Sequence, residues 1–384
     1  MSGLRSVLLL CWRDTDHPQG GGSETYLQRI GAQLAASGVE VTLRTARYPG
    51  AARREVVDGV RIDRAGGRYS VYIWAMLAMA GARLGLGPLR GVRPDVIVDT
   101  QNGLPFLARL VYGSRVAVLV HHCHREQWPV AGWFLGRVGW FVESWLSPKL
   151  NRHNQYVTVS LPSARDLVGL GVSNDRIAVV RNGLDEAPVT SLSGPRADAP
   201  RIVVLSRLVP HKQIEDALNA VVRLRTSMPL VHLDVVGGGW WEHRLVDHAR
   251  RLGISDAVTF HGHIDDDAKH SVLQQAWVHV LPSRKEGWGL AVIEAAQHAV
   301  PTIGYRSSGG LVDSIIDGVT GVLVDDQAGL VDRLEQLLTD PVLRDQLGSK
   351  AQARSAEFSW KQSADGMRAV LESVVAGDRV TGVV

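Results

Sequence analysis

The sequence predicts an α/β protein with doubly wound parallel sheets, arranged as two Rossmann-like domains. Two observations support this fold class. Short apolar, β-branched runs recur along the chain without the polar alternation of half-exposed strands, which is typical of strands buried on both faces. The longer segments between them have helical periodicity, which is the order expected of βαβ units. The length of 384 residues suits two domains.

The predicted strands form two series. The first contains five runs, at residues 7–11, 39–45, 96–98, 116–120 and 156–159. The second contains six runs, at residues 202–205, 230–236, 258–260, 278–281, 302–305 and 321–324. The most apolar stretch, residues 71–89, is interrupted by Arg83, three glycines and Pro88, so it is not predicted to cross a membrane.

A stretch of small and turn-forming residues, 190–200 (TSLSGPRADAP), separates the two series. It predicts an N-terminal domain over 1–190, a linker over 191–200 and a C-terminal domain over 201–384. The last helix either stays with the C-terminal domain or packs back on the N-terminal one. The carboxyl ends of the strands of both sheets are expected to face a cleft between the domains.

The composition is that of an ordinary globular protein, with 45% hydrophobic and 21% charged residues and two cysteines. Two cysteines cannot form a disulfide framework, and they suit a reducing cytosol. The net charge of +3 is uneven, because residues 1–190 hold 22 Lys and Arg against 15 Asp and Glu. This excess is either scatter or a sign of an anionic partner. No nucleic-acid-binding motif accompanies it, so nucleic acid is not expected.

A pair of cations follows the first strand of the second series. Arg207 and Lys212 lie between that strand and a helical pattern that begins near residue 214. The main-chain N–H groups and the dipole at a helix N-terminus favour an anion there. A diphosphate would fit there, with the planar guanidinium of Arg207 making forked hydrogen bonds to it and the ammonium of Lys212 acting as a point charge. The alternative interpretation is an exposed basic loop.

Two glycine-bearing loops follow later strands. Residues 237–239 are three glycines, which suit either close approach of a ligand or an ordinary βα turn. Residues 282–290 (PSRKEGWGL) lead from a strand into a helix, so the N–H groups of residues 288–291 are expected to point out of the helix start. Glu286 precedes this turn and Glu294 lies about one turn inside the helix. These two carboxylates could bind hydroxyls on either side of a phosphate.

This arrangement of Arg207, Lys212, Glu286 and Glu294 resembles the nucleotide-sugar site of the family 4 glycosyltransferases, which have the GT-B fold. Further similar positions are residues 237–239 and 260–262 and, in the N-terminal half, residues 20–24 (GGGSE), the histidine after residue 120 and residues 181–185 (RNGLD). The resemblance covers nearly the whole chain.

The resemblance implies a role for each of these residues. Arg207 and Lys212 would neutralise the nucleotide diphosphate, Glu286 would contact the donor sugar and Glu294 would hold the ribose hydroxyls. The resemblance also implies a retaining reaction, with neither an essential metal nor a cofactor beyond the nucleotide-sugar co-substrate. Trp288 stands where the family more often has Phe, and residues 238–240 (GGW) replace a commoner Gly-x-Gly-Pro. Together with Glu294, the predicted donor-binding residues are Gly21, Gly22, Gly238, Gly287, Trp288, Gly289 and Leu290.

Loops of the N-terminal half supply further candidates. Residues 20–22 are three glycines that open a helix, with Ser23 as the expected N-cap. They are interpreted as a flexible wall near donor and acceptor, or as a plain capping loop. His121 follows a strand and aligns with a family histidine beside the donor sugar, so it is the predicted catalytic residue of this half, and His124 is second.

Two clusters invite a metal interpretation that the sequence does not favour. Residues 121–124 (HHCH) lack a second Cys or His cluster to complete a tetrahedral zinc site. Residues 265–267 are three aspartates just before a helical pattern, where helix capping is the simpler account. No metal site is therefore predicted.

An aromatic segment, residues 128–145 (WPVAGWFLGRVGWFVESW), follows the histidines. Aromatics of this kind are typical of membrane interfaces, and with the basic N-terminal half they suggest docking on an anionic membrane. A packed helix or an acceptor pocket would explain them as well.

The sequence as a whole predicts a retaining glycosyltransferase. It would move a hexose from a UDP- or GDP-sugar to a hydroxyl acceptor, such as a lipid-linked acceptor or a cell-envelope glycan. The predicted location is the cytoplasm, with the inner face of the plasma membrane as a peripheral site. The alternatives are a GT-B epimerase or phosphorylase, and a sugar-nucleotide-binding protein without turnover.

Overall fold

The structure, a computed structural model, describes residues 3–18, 20–126, 128, 132–188 and 194–384. The chain divides into two compact units. The first unit comprises Met1–Gly183 together with Ser359–Val384, and the second comprises Leu184–Phe358. Each unit is built on a parallel sheet flanked by helices, so the predicted α/β class with two Rossmann-like domains is confirmed.

Strands and helices are numbered in chain order over the described residues. The strands are β1 (Ser6–Leu10), β2 (Glu40–Thr45), β3 (Arg54–Val57), β4 (Val60–Arg64), β5 (Val96–Thr100), β6 (Val116–Val120), β7 (Gln155–Thr158), β8 (Ile177–Val179), β9 (Arg201–Leu205), β10 (His232–Val236), β11 (Val258–Gly262), β12 (Val278–Leu281), β13 (Thr302–Tyr305), β14 (Gly321–Val324) and β15 (Gly382–Val383). The helices are α1 (Gly22–Ala36), α2 (Val71–Arg83), α3 (Arg109–Tyr112), α4 (Trp133–Phe141), α5 (Ser147–Leu150), α6 (Leu161–Gly169), α7 (Ile214–Leu224), α8 (Glu242–Arg251), α9 (Asp266–Gln275), α10 (Leu290–Gln297), α11 (Leu311–Ser314), α12 (Gln327–Thr339), α13 (Pro341–Ser355) and α14 (Trp360–Ala376). A π-helical segment, Val142–Leu146, joins α4 to α5.

The sheet of the first unit has the order β15-β8-β7-β6-β5-β1-β2-β4-β3, and that of the second unit has the order β11-β10-β9-β12-β13-β14. Neighbouring strands are parallel, except that β3 runs antiparallel to β4. All eleven strands that the sequence predicts are present. The central strands are buried along their whole length, which is why they lack polar alternation.

The C-terminal segment belongs to the first unit. Helix α14 packs on α1, where the rings of Tyr26 and Trp360 meet edge to face with centroids 6.2 Å apart. The N–H of Val384 donates to the C=O of Val179 (3.0 Å) as β15 pairs with β8. Gly183 permits this return, because a Cβ on it would lie 2.3 Å from the backbone nitrogen of Trp360.

The units therefore differ from the predicted domain bounds. The first unit ends at Gly183 rather than at residue 190, and it gains residues 359–384, in line with the alternative that the last helix packs back on the N-terminal domain. Of the predicted linker, residues 191–193 lie outside the described residues. Within the described chain, the helices are all too short or too polar to span a bilayer.

Candidate active site

The loop after β9 carries the two predicted cations. Arg207 is exposed, and a 3₁₀ turn, Pro210–Lys212, precedes α7. Gln213 takes a left-handed conformation (φ 48°) between this turn and the helix. The buried side chain of Leu208 anchors the loop on the core of the second unit. The sequence thus places Arg207 on the surface and turns the chain so that Lys212 points inward.

The three glycines after β10 pack directly against this loop. A Cβ on Gly237 would lie 2.0 Å from the C=O oxygen of Ser206, and one on Gly239 would lie 2.2 Å from that of Leu208. The C=O of Gly238 accepts a hydrogen bond from the N–H of Leu208 (3.0 Å). Gly237 and Gly239 are therefore explained by close approach of two protein loops, and Gly238 lies beside the loop that carries Arg207.

Lys212 and Glu286 form a buried ion pair. The ammonium of Lys212 donates to Oε1 of Glu286, and the side chains are only 13% and 11% exposed. Burial alone would raise the pKa of Glu286, but the charge and hydrogen bond of Lys212 lower it below its usual range. Glu286 is thus held as a carboxylate in a site where water is scarce.

The main chain around Glu286 is fixed by the neighbouring loop. Its N–H donates to the C=O of Ser308 (2.8 Å), and its C=O accepts from the N–H of Gly310 (3.1 Å). A Cβ on Gly310 would lie 2.4 Å from the backbone of Gly287, so glycine is required there as well. These contacts hold the segment that leads into α10.

The predicted donor-binding residues after Glu286 open helix α10. Gly289 is its N-cap, with φ of 93°, and the first helical hydrogen bond runs from the N–H of Val292 to the C=O of Gly289 (3.0 Å). The N–H groups of Leu290 and Ala291, two of the four that the sequence singles out over residues 288–291, come before that bond. The side chain of Trp288 is buried in the core, edge to face with Phe358, so only its main chain can face a ligand.

Glu294 lies one turn into α10 and is held by a lysine that the sequence analysis missed. The ammonium of Lys269, on α9, donates to Oε1 of Glu294 (2.9 Å) and to Asp266 (2.8 Å). Burial opposes the charge of Lys269, but the two carboxylates outweigh it, so the pKa of the ammonium is raised above its usual range. Only six lysines occur in the chain, and two of them, Lys212 and Lys269, bind predicted site carboxylates.

His121, at the end of β6, is buried in the first unit. Its ring stands edge to face with Tyr26, with centroids 5.1 Å apart, and its Nε2 has no hydrogen-bond partner among the described residues. Burial, aided by the charge of His124, lowers the pKa of His121 to about 3. The imidazole is therefore neutral at physiological pH and suits a hydrogen-bonding role rather than acid catalysis.

A buried carboxylate on the π-helical segment supports the chain after His121. Glu143 is fully buried, and its Oε1 accepts from the main-chain N–H of His124 and contacts Nδ1 of the same residue, both at 3.0 Å. Its Oε2 accepts from Nε1 of Trp128 (2.6 Å). Glu143 was not a predicted site residue, although an acid inside an aromatic run was visible in the sequence.

The glycines after β1 form a capped helix start. Gly21 is the N-cap of α1 and Gly22 its first residue, so the prediction of Ser23 as the N-cap was wrong. The side-chain contact at this helix start comes from Glu24, whose Oε2 accepts a hydrogen bond from the N–H of the N-cap residue, Gly21 (2.9 Å). Arg13 holds the same carboxylate with two bonds to Oε1, at 3.0 and 3.1 Å.

The three aspartates form the start of α9, with Asp265 as its cap and Asp266 and Asp267 in its first turn. Asp265 is the N-cap of α9, and its Oδ1 accepts from the N–H of Ala268 (2.8 Å), which confirms the capping interpretation. Within the part of the chain that is described, no cluster of three or more His, Cys, Asp or Glu side chains has the geometry to hold a metal ion.

The aromatic segment is exposed along one side of α4. Gly136 and Gly139 face inward, and a Cβ on Gly139 would collide with the ring of Trp128. The outward residues are large and apolar, namely Trp133, Phe134, Leu135, Val138 and Phe141. Trp145 lies on the next turn and stacks on Phe141, with centroids 5.0 Å apart. Residues 129–131 of the segment lie outside the described residues.

Comparison with known families assigns both halves of the chain. Residues 20–187 match the family described as Glycosyltransferase Family 4, and residues 193–354 match the family described as Glycosyl transferases group 1. The two matches end and begin close to the boundary between the compact units.

Similar proteins include several with sugar-transfer names. A glycogen synthase of Mycobacterium tuberculosis is 29% identical over 97% of this chain and 96% of its own length. A GDP-mannose-dependent α-(1-6)-phosphatidylinositol monomannoside mannosyltransferase of Mycolicibacterium smegmatis is 31% identical over 60% of this chain and 62% of its own. Among solved structures, sucrose-phosphate synthase of Thermosynechococcus elongatus superposes with a TM-score of 0.81 at 22% identity, covering 97% of this chain and all of that one.

Proposed function

Because this chain belongs to the family 4 glycosyltransferases and has their GT-B fold, we propose that it is a retaining hexosyltransferase. It moves a hexose from a nucleotide diphosphate sugar, UDP- or GDP-linked, to a hydroxyl acceptor. The observation that carries this proposal is the buried Lys212–Glu286 pair directly before the N-terminus of α10. That arrangement offers cations and N–H groups to a diphosphate and an ionised carboxylate to a sugar.

The donor diphosphate is bound by fixed positive charge. Lys212 supplies an ammonium, Arg207 supplies a guanidinium from the same loop after β9, and the first N–H groups of α10 supply the helix dipole. As the glycosidic C–O bond to phosphate breaks, negative charge develops on the leaving diphosphate. These groups stabilise that charge, the role that a divalent cation has in other transferases, so the proposed reaction requires no metal.

The sugar and the nucleoside are bound by carboxylates. Glu286 accepts hydrogen bonds from sugar hydroxyls, and Glu294, one turn further along α10, accepts those of the ribose. His121 is neutral, so it contributes a hydrogen bond near the sugar and no proton.

The predicted residues include no strong nucleophile, which favours a front-face reaction. The acceptor oxygen bonds to the anomeric carbon on the face that the phosphate leaves, and the hydroxyl proton passes to the leaving phosphate oxygen.

The acceptor is proposed to be lipid-linked or a cell-envelope glycan, reached from the cytoplasm at the inner face of the plasma membrane. The exposed aromatic side of α4 supports this, since such residues are favoured at membrane interfaces. Charge supports it too: residues 64–125 contain eight arginines against two aspartates, nearly the whole excess of the N-terminal half. The similar mannosyltransferase of Mycolicibacterium smegmatis is named for phosphatidylinositol monomannoside.

Melting curves with nucleotides test the donor. The Tm of the protein is measured with UDP, GDP, ADP and their sugars, and a nucleotide at 100 times its Kd is expected to stabilise by about 2.7 kcal/mol. Glu286→Ala and Lys212→Ala are then assayed for donor hydrolysis and for transfer. Wild-type turnover in either variant, or the lack of any stabilising nucleotide, would overturn these assignments.

Vesicle binding tests the membrane proposal separately. The protein is expected to sediment with vesicles that contain an anionic phospholipid and to remain in solution with neutral ones. A Trp133→Ser, Phe134→Ser double variant should lose this binding. Trp240→Ser is the matched control, because Trp240 is an exposed aromatic of the second unit. Equal binding by the double variant and the control would refute the role of α4.

A further inference from the structure

Lys269 and Glu294 join helices α9 and α10 of the second unit. The ammonium of Lys269 lies 2.9 Å from Oε1 of Glu294, and both side chains are less than one-fifth exposed. A second polar contact lies nearby, because Nδ1 of His270, on α9, lies 2.9 Å from Nε2 of His298, the residue that follows α10. The Glu294 side chain is thus held by its ion pair with Lys269, and the two histidines make a further polar contact nearby.

The ion pair with Lys269 uses only one oxygen of the Glu294 carboxylate. Lys269 binds Oε1 of Glu294, whereas Oε2 accepts no hydrogen bond from any residue within the described ranges. A carboxylate with one oxygen bound to an ammonium presents its other oxygen in a fixed direction. Two vicinal hydroxyls are suitable donors for such an oxygen.

Lys269 is itself fixed from the other side. Its ammonium also binds Asp266, three residues earlier on α9, at 2.8 Å. Asp266 is largely exposed at its side chain, whereas Glu294 is not. Loss of Asp266 therefore leaves the Lys269–Glu294 bond in place, which provides a way to separate the two contacts.

We propose that Lys269 is a positioning residue for nucleoside recognition, one that orients Glu294 so that its free oxygen binds the ribose hydroxyls of the donor. This inference rests on the proposed function, in which Glu294 binds the ribose. Lys269 acts through Glu294 and does not touch the reacting atoms. Its loss lowers the preference of the protein for a ribonucleotide over a nucleotide without ribose hydroxyls, and leaves the binding of the diphosphate in place.

The test compares two ligands by isothermal titration of the full chain. The pair is UDP with 2′,3′-dideoxy-UDP, or GDP with 2′,3′-dideoxy-GDP, whichever diphosphate the melting screen identifies. The wild type is expected to prefer the ribonucleotide by roughly tenfold or more, the size of one hydrogen bond to a charged group. Lys269→Met should bring this ratio close to one by weakening the ribonucleotide alone. Asp266→Asn should keep the wild-type ratio.

Three variants make the outcomes distinct. Glu294→Gln should also abolish the preference, and if it does not, the proposed ribose role of Glu294 fails. If Glu294→Gln abolishes the preference but Lys269→Met keeps it, the proposal for Lys269 alone is overturned. If Lys269→Met unfolds the protein, Lys269→Arg is used instead. It retains a cation, so it should keep at least part of the wild-type preference for the ribonucleotide. Equal weakening of both ligands by Lys269→Met, which would leave their ratio at the wild-type value, would indicate a general structural role and would refute positioning.

Discussion

Replacing Lys212 by methionine removes the ammonium that neutralises Glu286 and keeps most of the length of the side chain. Glu286 then remains almost wholly buried without its cation. Removal of one partner of a buried ion pair costs about 3–5 kcal/mol, and the residual exposure of both side chains favours the lower end. For a unit of about 175 residues, about 3 kcal/mol corresponds to a fall of roughly 6–12 °C in Tm at neutral pH.

The loss should depend on pH in a defined direction. In the wild type, the pKa of Glu286 is held below its usual range, so the pair stabilises the fold above the unfolded pKa and loses this contribution as pH falls through the folded pKa. In Lys212→Met, burial raises the pKa with less opposition, and Glu286 can take up a proton. A protonated carboxyl avoids most of the burial cost, so the Tm difference between wild type and variant should contract as the pH is lowered towards about 4.5.

Melting curves from about pH 4.5 to pH 8 measure this dependence. Lys361→Met is the matched control, because Lys361 pairs with Asp365 on the exposed surface of α14. Its Tm should stay close to that of the wild type at every pH, since exposed pairs contribute little. A Tm difference for Lys212→Met that is the same at both ends of the range would refute the reasoning.

Three further predictions concern the first unit. The kcat ratio of His121→Gln to wild type should stay constant between about pH 5.5 and 8, because the pKa of His121 is far below this range; a ratio that changes near pH 6.5 would contradict a neutral imidazole. Glu143→Ala should speed tryptic cleavage after Arg125, because the 121–128 segment loses three contacts; mass spectrometry would identify the cut, and an unchanged rate would count against support by Glu143. Gly183→Ala should lower Tm by more than about 2 °C, since the new Cβ meets the backbone of Trp360; an unchanged Tm would show that α14 can shift at little cost.

The sequence predicted eleven of the strands in the described chain and missed β3, β4, β8 and β15. Strands β3 and β4 form an edge hairpin, and β3 alternates exposed and half-buried positions. Their turn, Asp58-Gly59, has positive φ at both residues, and an Asp-Gly pair between β-branched residues was an available signal. Strands β8 and β15 have three and two residues, too few for any periodicity to appear.

The site was predictable where a motif is local in sequence. The start of α10 follows from a strand, a glycine-bearing loop and a helical pattern within a dozen residues. Contacts between distant segments were not predictable, because packing decides them. Lys269 and Glu294 are 25 residues apart on separate helices, and Glu143 reaches back 19 residues to His124. The burial of Trp288 was not predictable either, since an aromatic side chain next to glycines can equally well contact a ligand or pack in a hydrophobic core.

The return of the chain to the first unit has a consequence for synthesis on the ribosome. Residues 184–358 can complete their own sheet and core as soon as they leave the exit tunnel. The first unit, although translated earlier, lacks α14 and β15 until residues 359–384 have been made. During that interval Tyr26 and its neighbours on α1 lack the cover of Trp360. The half of the protein that is translated first is therefore the half that finishes folding last, and the interval is when it is most open to chaperones and proteases.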